Sequence, residues 1–243
     1  MAKDRSTPTQ DHPVVSREEW LSARVAFLVK EKEFTRLRDD LSRQRRELPW
    51  VKVDKPYAFD GPRGKETLAQ LFAGRSQLVV YHFMFAPEAD AGCPHCSFWA
   101  DNFNGIDVHL NHRDVSLVAV SRAPLARIEA FKKRMGWSFK WVSSSGTDFN
   151  YDYHVSFTPE AIKSGAVIYN YVKTEMDMSD REGVSVFYKD EKGSVFHTYS
   201  SYARGIDMLN GAYHILDLAP KGRDEDHLEF TQAWVRHHDR YED

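Results

Sequence analysis

The sequence predicts an α/β protein: a mixed sheet flanked by helices, with a long amphipathic helix in front of it. Three observations carry this. Two near-continuous apolar runs, QLVVYHFMF at 77–85 and DVSLVAVS at 114–121, have the length and branched-residue content of strands buried on both faces. Segments with helical signals alternate with them, the pattern of strands covered by helices. A seven-residue apolar repeat also runs through the first fifty residues, marking one face of a helix.

The 243 residues are enough to bury a sizeable core without staples. A net charge of −3 argues against nucleic-acid binding, which favours a strongly basic domain. No run approaches the ~20 apolar residues of a membrane helix, so no membrane partner is expected. The opening MAKDRSTPTQDHP is polar and lacks the apolar stretch of a signal peptide. A cytoplasmic location is therefore expected, and no cofactor is implied.

Residues 1–49 read as an N-terminal unit, a disordered arm over 1–13 followed by a helix. Ser16-Arg17-Glu18-Glu19 is a capping box. Trp20, Phe27, Phe34, Leu41 and Leu48 recur every seven residues up to Pro49, which ends the helix. This stripe needs cover, either from its own domain or from a second subunit in a homodimer. The Arg36, Arg38, Arg43, Arg45 and Arg46 cluster is interleaved with acids and reads as a solvated face.

Residues 50–243 read as one domain. An extended segment at 50–53, a turn at 60–64 and a short helix at 67–72 precede the first buried strand. After the cysteines, 97–110 reads as a helix with a possible break at Asn104-Gly105, and 114–121 as the second strand. Pro124 opens a helix closed by Gly136, and 138–144 is a third strand. Residues 145–182 lose this regularity and read as an insertion, a lid or edge elaboration. A hairpin about the turn at 190–193, a helix over 206–219 and a polar tail complete the chain.

The order strand, Cys-x-x-Cys, helix, strand, helix, strand, hairpin, helix is that of a thioredoxin-like domain. The only cysteines are Cys93 and Cys96, in Cys-Pro-His-Cys. Disulfide exchange needs a thiolate, a second thiol in reach and access for a partner sulfur. Cys93 at the helix N-cap, with Pro94 at the first position, meets free N–H groups that favour its thiolate. His95 adds a potential cation, and Cys96, one turn on, is placed to resolve a mixed disulfide with an unknown thiol or disulfide substrate, protein or small molecule. A peroxide route through a sulfenic acid on Cys93 needs the same residues. The tetrapeptide is similar to that of a strongly oxidising periplasmic thiol oxidase, a compartment the polar N-terminus argues against.

Two other readings stay open. Cys93-x2-Cys96-x12-His109-x2-His112 approaches a two-Cys, two-His metal pattern, although the histidine gap is shorter than the usual three to five residues. A binding module with inert cysteines is the other. Thioredoxin-like domains place a cis-proline before the hairpin strand, where this chain has Val184. A cis bond without proline costs about 3 kcal/mol, so a trans bond is expected there. His82, alternating within the buried strand, and Trp99, Trp137 and Trp141 read as core. Tyr199, Tyr202 and Arg204 are candidates to face a ligand, with Arg204 expected to pair with a structural acid.

The stretches VVSREEWL, VYHFMF, GCPHCSFWADNF, VAVSRAPL, RMGWSFKWVSS, DFNYDYHVSFTPE, VFHTYSSYARG and LNGAYHILDLAPKGRDE resemble, in order and over nearly the whole chain, a bacterial family catalogued as domain of unknown function 899. Its members are described as thioredoxin-like, predicted dithiol–disulfide oxidoreductases. The resemblance implies Cys93 as attacking thiol and Cys96 as resolving thiol, and no particular substrate.

Overall fold

The computed structural model describes residues 12–242; most of the expected arm lies outside them. The elements in chain order are α1 (Arg17–Arg46), β1 (Val51–Lys52), β2 (Ala58–Gly61), β3 (Gly64–Thr67), α2 (Leu68–Leu71), β4 (Gln77–His82), α3 (Pro94–Ala100), α4 (Asp107–Asn111), β5 (Val115–Ser121), α5 (Leu125–Arg134) and β6 (Lys140–Ser143). Then follow α6 (Phe149–Asp152), α7 (Pro159–Lys163), β7 (Val167–Tyr169), β8 (Val172–Thr174), β9 (Gly183–Lys189), β10 (Val195–Tyr202), a 3-10 helix (Ala203–Leu209) and α8 (Gly211–Leu216).

Eight strands form one mixed sheet in the order β1-β10-β9-β4-β5-β6-β2-β3. Strand β4 is central. It runs parallel to β5, with His82 opposite Val120, and antiparallel to β9, with Tyr81 opposite Val184 and His82 opposite Gly183. β6 extends the parallel part beyond β5. The central order β10-β9-β4-β5, with the cysteine helix following β4, makes the fold thioredoxin-like. The β2–β3 hairpin, of which the sequence shows only the turn, joins the edge through the single pair Asp60–Ser143.

Alternation along β4 divides the core. Leu78 and Val80 face one cluster with Phe59, Phe72, Phe149 and Phe187, while Tyr81 faces another with Cys96, Trp99, Trp137, Trp141 and Val184. The second cluster is a lattice of tilted and edge-on rings; Phe83 and Trp141 lie 4.5 Å apart between centroids, the geometry aromatic quadrupoles favour. Trp99, Trp137 and Trp141 are therefore core, as expected. His82 is fully buried on the first face, where its Nε2 is 2.8 Å from the Ser185 hydroxyl. Burial, with His197 nearby, lowers its pKa to about 3, so the ring is neutral.

Of the two longer helices expected after the cysteines, one has the break expected in it and the other is corrected. The helix expected over 97–110 ends at Ala100 and resumes at Asp107. Gly105 takes a left-handed φ of 83° between them, and the Asn104 side chain accepts from the Ser138 N–H instead of continuing a helix. The segment expected as one helix over 206–219 is split at Asn210, whose side chain caps α8 by accepting from the Tyr213 N–H. The polar tail has no regular element but packs firmly: Val235 is buried and Arg134 grips Asp239 through two hydrogen bonds.

Helix α1 has its capping box, and no residue in it is buried. Trp20, Phe27, Phe34 and Leu41 are 51–65% exposed; one cation–π contact, Arg45 over Tyr199, touches the sheet. The body of the same chain does not cover the stripe. A helix of about 45 Å draws most of its stability from packing its apolar face. We propose that a second copy supplies that packing. Antiparallel pairing sets Glu18 and Glu19 in the first turn of one helix beside Arg43, Arg45 and Arg46 in the last turn of the other. Sedimentation equilibrium is expected to give a dimer, and the double change Phe27→Glu, Phe34→Glu a folded monomer. A monomeric unmodified chain, or an unchanged dimer in the variant, contradicts this.

Candidate functional site

The cysteines sit where β4 hands over to α3. The chain leaves the strand through Phe83, returns over Gly92 and enters the helix with Cys93 as N-cap and Pro94 at its first position. The Cys93 N–H donates to the Met84 carbonyl at 3.0 Å, and the Ser97 N–H and hydroxyl both donate to the Cys93 carbonyl at 2.9 Å. Gly92 is obligatory by space. A Cβ there would lie 2.7 Å from ring carbons of both Phe83 and Phe131.

Both thiols are free, and their environments differ. Cys93 is half-buried, whereas Cys96 is 2% exposed and accepts from the Met84 N–H at 3.4 Å. The Cys93 pKa lies well below the ordinary thiol value, chiefly because the Cys96 thiol donates to it. Burial opposes the shift, and the His95 side chain supports it. The Cys96 backbone N–H at the helix start also favours the thiolate, as expected of an N-cap cysteine. Cys96 is pushed up, first by burial and then by the negative Cys93 beside it. His95 is raised by its hydrogen bond to Cys93 and lies edge-on to Phe230, centroids 6.2 Å apart. The environment favours the thiolate at Cys93, the protonated thiol at Cys96 one helical turn away and the protonated ring of His95 beside them, the starting arrangement for dithiol–disulfide chemistry.

The metal alternative is not formed. His109 and His112 are exposed in and just after α4, and among the described residues no cluster of three His, Cys, Asp or Glu is arranged to hold a metal ion. The pattern Cys93, Cys96, His109, His112 fails because α3 and the turn after it separate the pairs. The described residues contain no cis peptide, so the bond before Val184 is trans, as expected, and Val184 packs in the cluster with Cys96.

Beside Cys93 lies a cleft of about 400 Å³. Its floor is Tyr81, Cys96 and Trp99; its walls are Arg181 and Glu182 from the insertion, Arg204 from the 3-10 helix, and Phe230 and Gln232 from the tail. Of these wall residues the sequence analysis singled out only Arg204, expecting a structural acid as its partner. Its nearest acid is Asp207 at 3.5 Å, while the Arg204 side chain stays 88% exposed and Asp207 is held more closely by Arg223 at 3.2 Å. Tyr199 and Tyr202 lie away from the cleft. Tyr199 sits under Arg45, and the buried Tyr202 donates to the Tyr153 carbonyl.

The wall positions are set from a distance. Arg122, just after β5, makes a two-pronged ion pair with Asp180 at 2.8 and 2.9 Å and donates to the Tyr151 hydroxyl. With both side chains nearly buried, removing either partner of such a pair costs about 3–5 kcal/mol. Asp180 thereby delivers Arg181 and Glu182 to the cleft. The tail is fixed to the cysteine loop itself, His237 donating from Nε2 to the Gly92 carbonyl at 2.8 Å. No local sequence signal marks these contacts, which span 58 and 145 residues.

The model of one family, described as "Bacterial protein of unknown function (DUF899)", matches residues 9–241. The chain belongs to that family. A search of the curated proteins found no match. Solved structures similar to this member of the family include a peroxidoxin, BcpB, from Mycobacterium tuberculosis, 13% identical with a TM-score of 0.45 over 67% of this chain and 93% of that one. A PrxQ mutant from Xylella fastidiosa is 12% identical, with a TM-score of 0.43 over 69% and 95%. A peroxiredoxin Q mutant from Xanthomonas campestris is 15% identical, with a TM-score of 0.42 over 70% and 95%. At this distance no residue role passes from those proteins to the family.

Alkylation of the reduced protein by iodoacetamide is expected to modify Cys93 first, with a pH midpoint well below the ordinary ~8.5 of a free thiol. Because the lowered group is the anion-forming one, reactivity persists above that midpoint and fades as pH falls through it. His95→Ala is expected to move the midpoint up. A midpoint at or above the ordinary value contradicts the described site.

Proposed function

We propose that the protein is a dithiol–disulfide oxidoreductase whose working couple is Cys93 and Cys96. The observation that carries the reading is the placement of two free thiols one helical turn apart, Cys93 half-buried at the helix N-cap on the cleft and Cys96 2% exposed behind it, an environment that holds Cys93 down and pushes Cys96 up. It makes one sulfur a nucleophile at neutral pH and holds the other as a thiol until needed. The Cys93 thiolate attacks one sulfur of a substrate disulfide, and the other sulfur leaves as a thiolate. Cys96 then gives its proton to the departing group and attacks Cys93, closing the internal disulfide and releasing the second substrate thiol. Two electrons pass from the protein dithiol to the substrate, and an external thiol restores the couple. His95 holds positive charge beside Cys93 in the reduced state.

A hydroperoxide is a second possible oxidant for this couple. Attack of Cys93 on the O–O bond gives Cys93 sulfenic acid and an alcohol, and Cys96 condenses with it to release water. The same protonated neighbour, Cys96, serves both routes.

The test is trapping. Cys96→Ser is expected to accumulate a stable mixed disulfide on Cys93 when treated with a disulfide, and Cys93→Ser to lose turnover by at least about 10³-fold, the scale of removing a nucleophile. If both variants keep the parent rate, the cysteines are inert and the domain is a binding module.

A further inference from the structure

Resting on the oxidoreductase reading, the cleft points further, to the class of substrate. We propose that the disulfide reduced at Cys93 is a small molecule carrying a carboxylate, with Arg204 and Arg181 receiving the carboxylate and the apolar floor receiving the body around the sulfur pair.

Three observations favour a small molecule over a polypeptide. The cleft is walled on separate sides by the insertion, the 3-10 helix and the tail, and its volume of about 400 Å³ lies within the range typical of small-ligand sites. The thiolate is reached inside it, half-buried, rather than on a flat surface. The backbone beside the cysteines offers no free edge: Gly183 and Val184 are paired with β4 on one side, opposite His82 and Tyr81, and with β10 on the other, opposite Tyr202 and Ser201. Just upstream, the Arg181 N–H is taken by the Val155 carbonyl. A partner chain has no strand to extend here, and strand addition is how an extended segment gains backbone affinity.

The charge of the ligand follows from the cleft's unequal ion pairing. Among the described residues Arg204 makes one ion pair, a long one of 3.5 Å to Asp207, an acid already engaged by Arg223, and it lies within electrostatic reach of Asp217, which Arg223 also holds. The Arg181 guanidinium donates from Nε to the Met176 sulfur at 3.0 Å, and among the described residues its terminal nitrogens have only a long 3.7 Å contact, to Asp177, whose side chain is 89% exposed. Both cations keep hydrogen-bonding capacity toward a guest, and guanidinium geometry suits a carboxylate. Two acids share the lining: Asp207, engaged by Arg223, and Glu182, which accepts from the Tyr169 hydroxyl at 3.1 Å and whose charge acts on the His95 and Cys96 side of the cleft, away from the role given to the two arginines. Tyr81, Met84, Trp99 and Ile206 supply the apolar contact. Beyond Arg204 the cleft adjoins a polar cavity of about 520 Å³ that shares Asp207, Thr231 and Gln232, room for the polar end of a longer molecule. Balance is as in the parent reaction: attack of Cys93 breaks the S–S bond, and two carboxylate-bearing thiols leave when Cys96 has closed on Cys93.

The experiment measures second-order oxidation of the fully reduced chain by three disulfides: dianionic 3,3′-dithiodipropionate, neutral 2-hydroxyethyl disulfide and dicationic cystamine. Each rate is divided by that of dithiothreitol with the same disulfide, which removes intrinsic reactivity. The anionic probe is expected to lead the cationic one by about tenfold, the worth of one charged hydrogen bond. In the double variant Arg181→Gln, Arg204→Gln this ratio, read within one protein so that thiolate content cancels, is expected to fall to about two or less. Equal normalised rates in the parent protein, a ratio untouched in the variant, or faster oxidation by a disulfide-bonded protein than by any of the three would overturn the substrate class and leave the oxidoreductase reading standing. No oxidation by any disulfide would overturn both.

Discussion

The hydrogen-bonded register of β4, held between a parallel and an antiparallel neighbour, is the constraint on which the site depends. Pairing with β5 places Arg122 beside the end of β4, and pairing with β9 sets Gly183 and Val184 opposite His82 and Tyr81. Only glycine fits at 183, because a Cβ there would meet the Tyr202 ring at 2.7 Å. A slip of one residue would exchange the two faces of the strand. It would bring His82 to the cysteine side and Tyr81 among Phe149 and Phe187. The chemistry at Cys93 is thus built on a register, and the cysteine loop inherits its position from it.

On that base the molecule adds two long-range anchors. The ion pair of Arg122 with Asp180 fixes the last residues of the insertion, and the tail is tied down through Arg134, Gly92 and Asp101. Each anchored segment contributes lining to the thiol cleft, Arg181 and Glu182 from one and Phe230 and Gln232 from the other. Their effect is to convert an exposed Cys-x-x-Cys surface into a cleft, where lower effective dielectric strengthens each electrostatic contact. The asymmetry between Cys93 and Cys96 arises from the same enclosure. Burial raises Cys96 outright, whereas at Cys93 the Cys96 thiol and His95 offset its cost.

Much of this was legible in the sequence, and what was not has identifiable causes. β4 and β5 announce themselves because strands buried on both faces must be apolar throughout, and the β9–β10 hairpin through its turn at 190–193. Cys93 as N-cap followed from Pro94, and the capping box of α1 from Ser16 and Glu19. The break at Asn104-Gly105 was readable from that pair, whereas the split at Asn210 was not, because this asparagine trades backbone continuation for a side-chain bond whose partner is fixed only by the fold. The β2–β3 edge rests on one residue pair with β6 and has no pattern to detect. Arg181, Glu182, Phe230 and Gln232 were missed for the same reason: polar contacts far along the chain bring them to Cys93, and local periodicity holds no trace of them.

The measurement that bears most directly on the central claim is a redox titration of the purified chain in glutathione buffers, following the Cys93–Cys96 disulfide by mass. The proposed couple predicts a single reversible two-electron transition, with a tenfold change in the reduced-to-oxidised ratio for each ~30 mV. Absence of that disulfide at every poise, with both thiols still free, would contradict it.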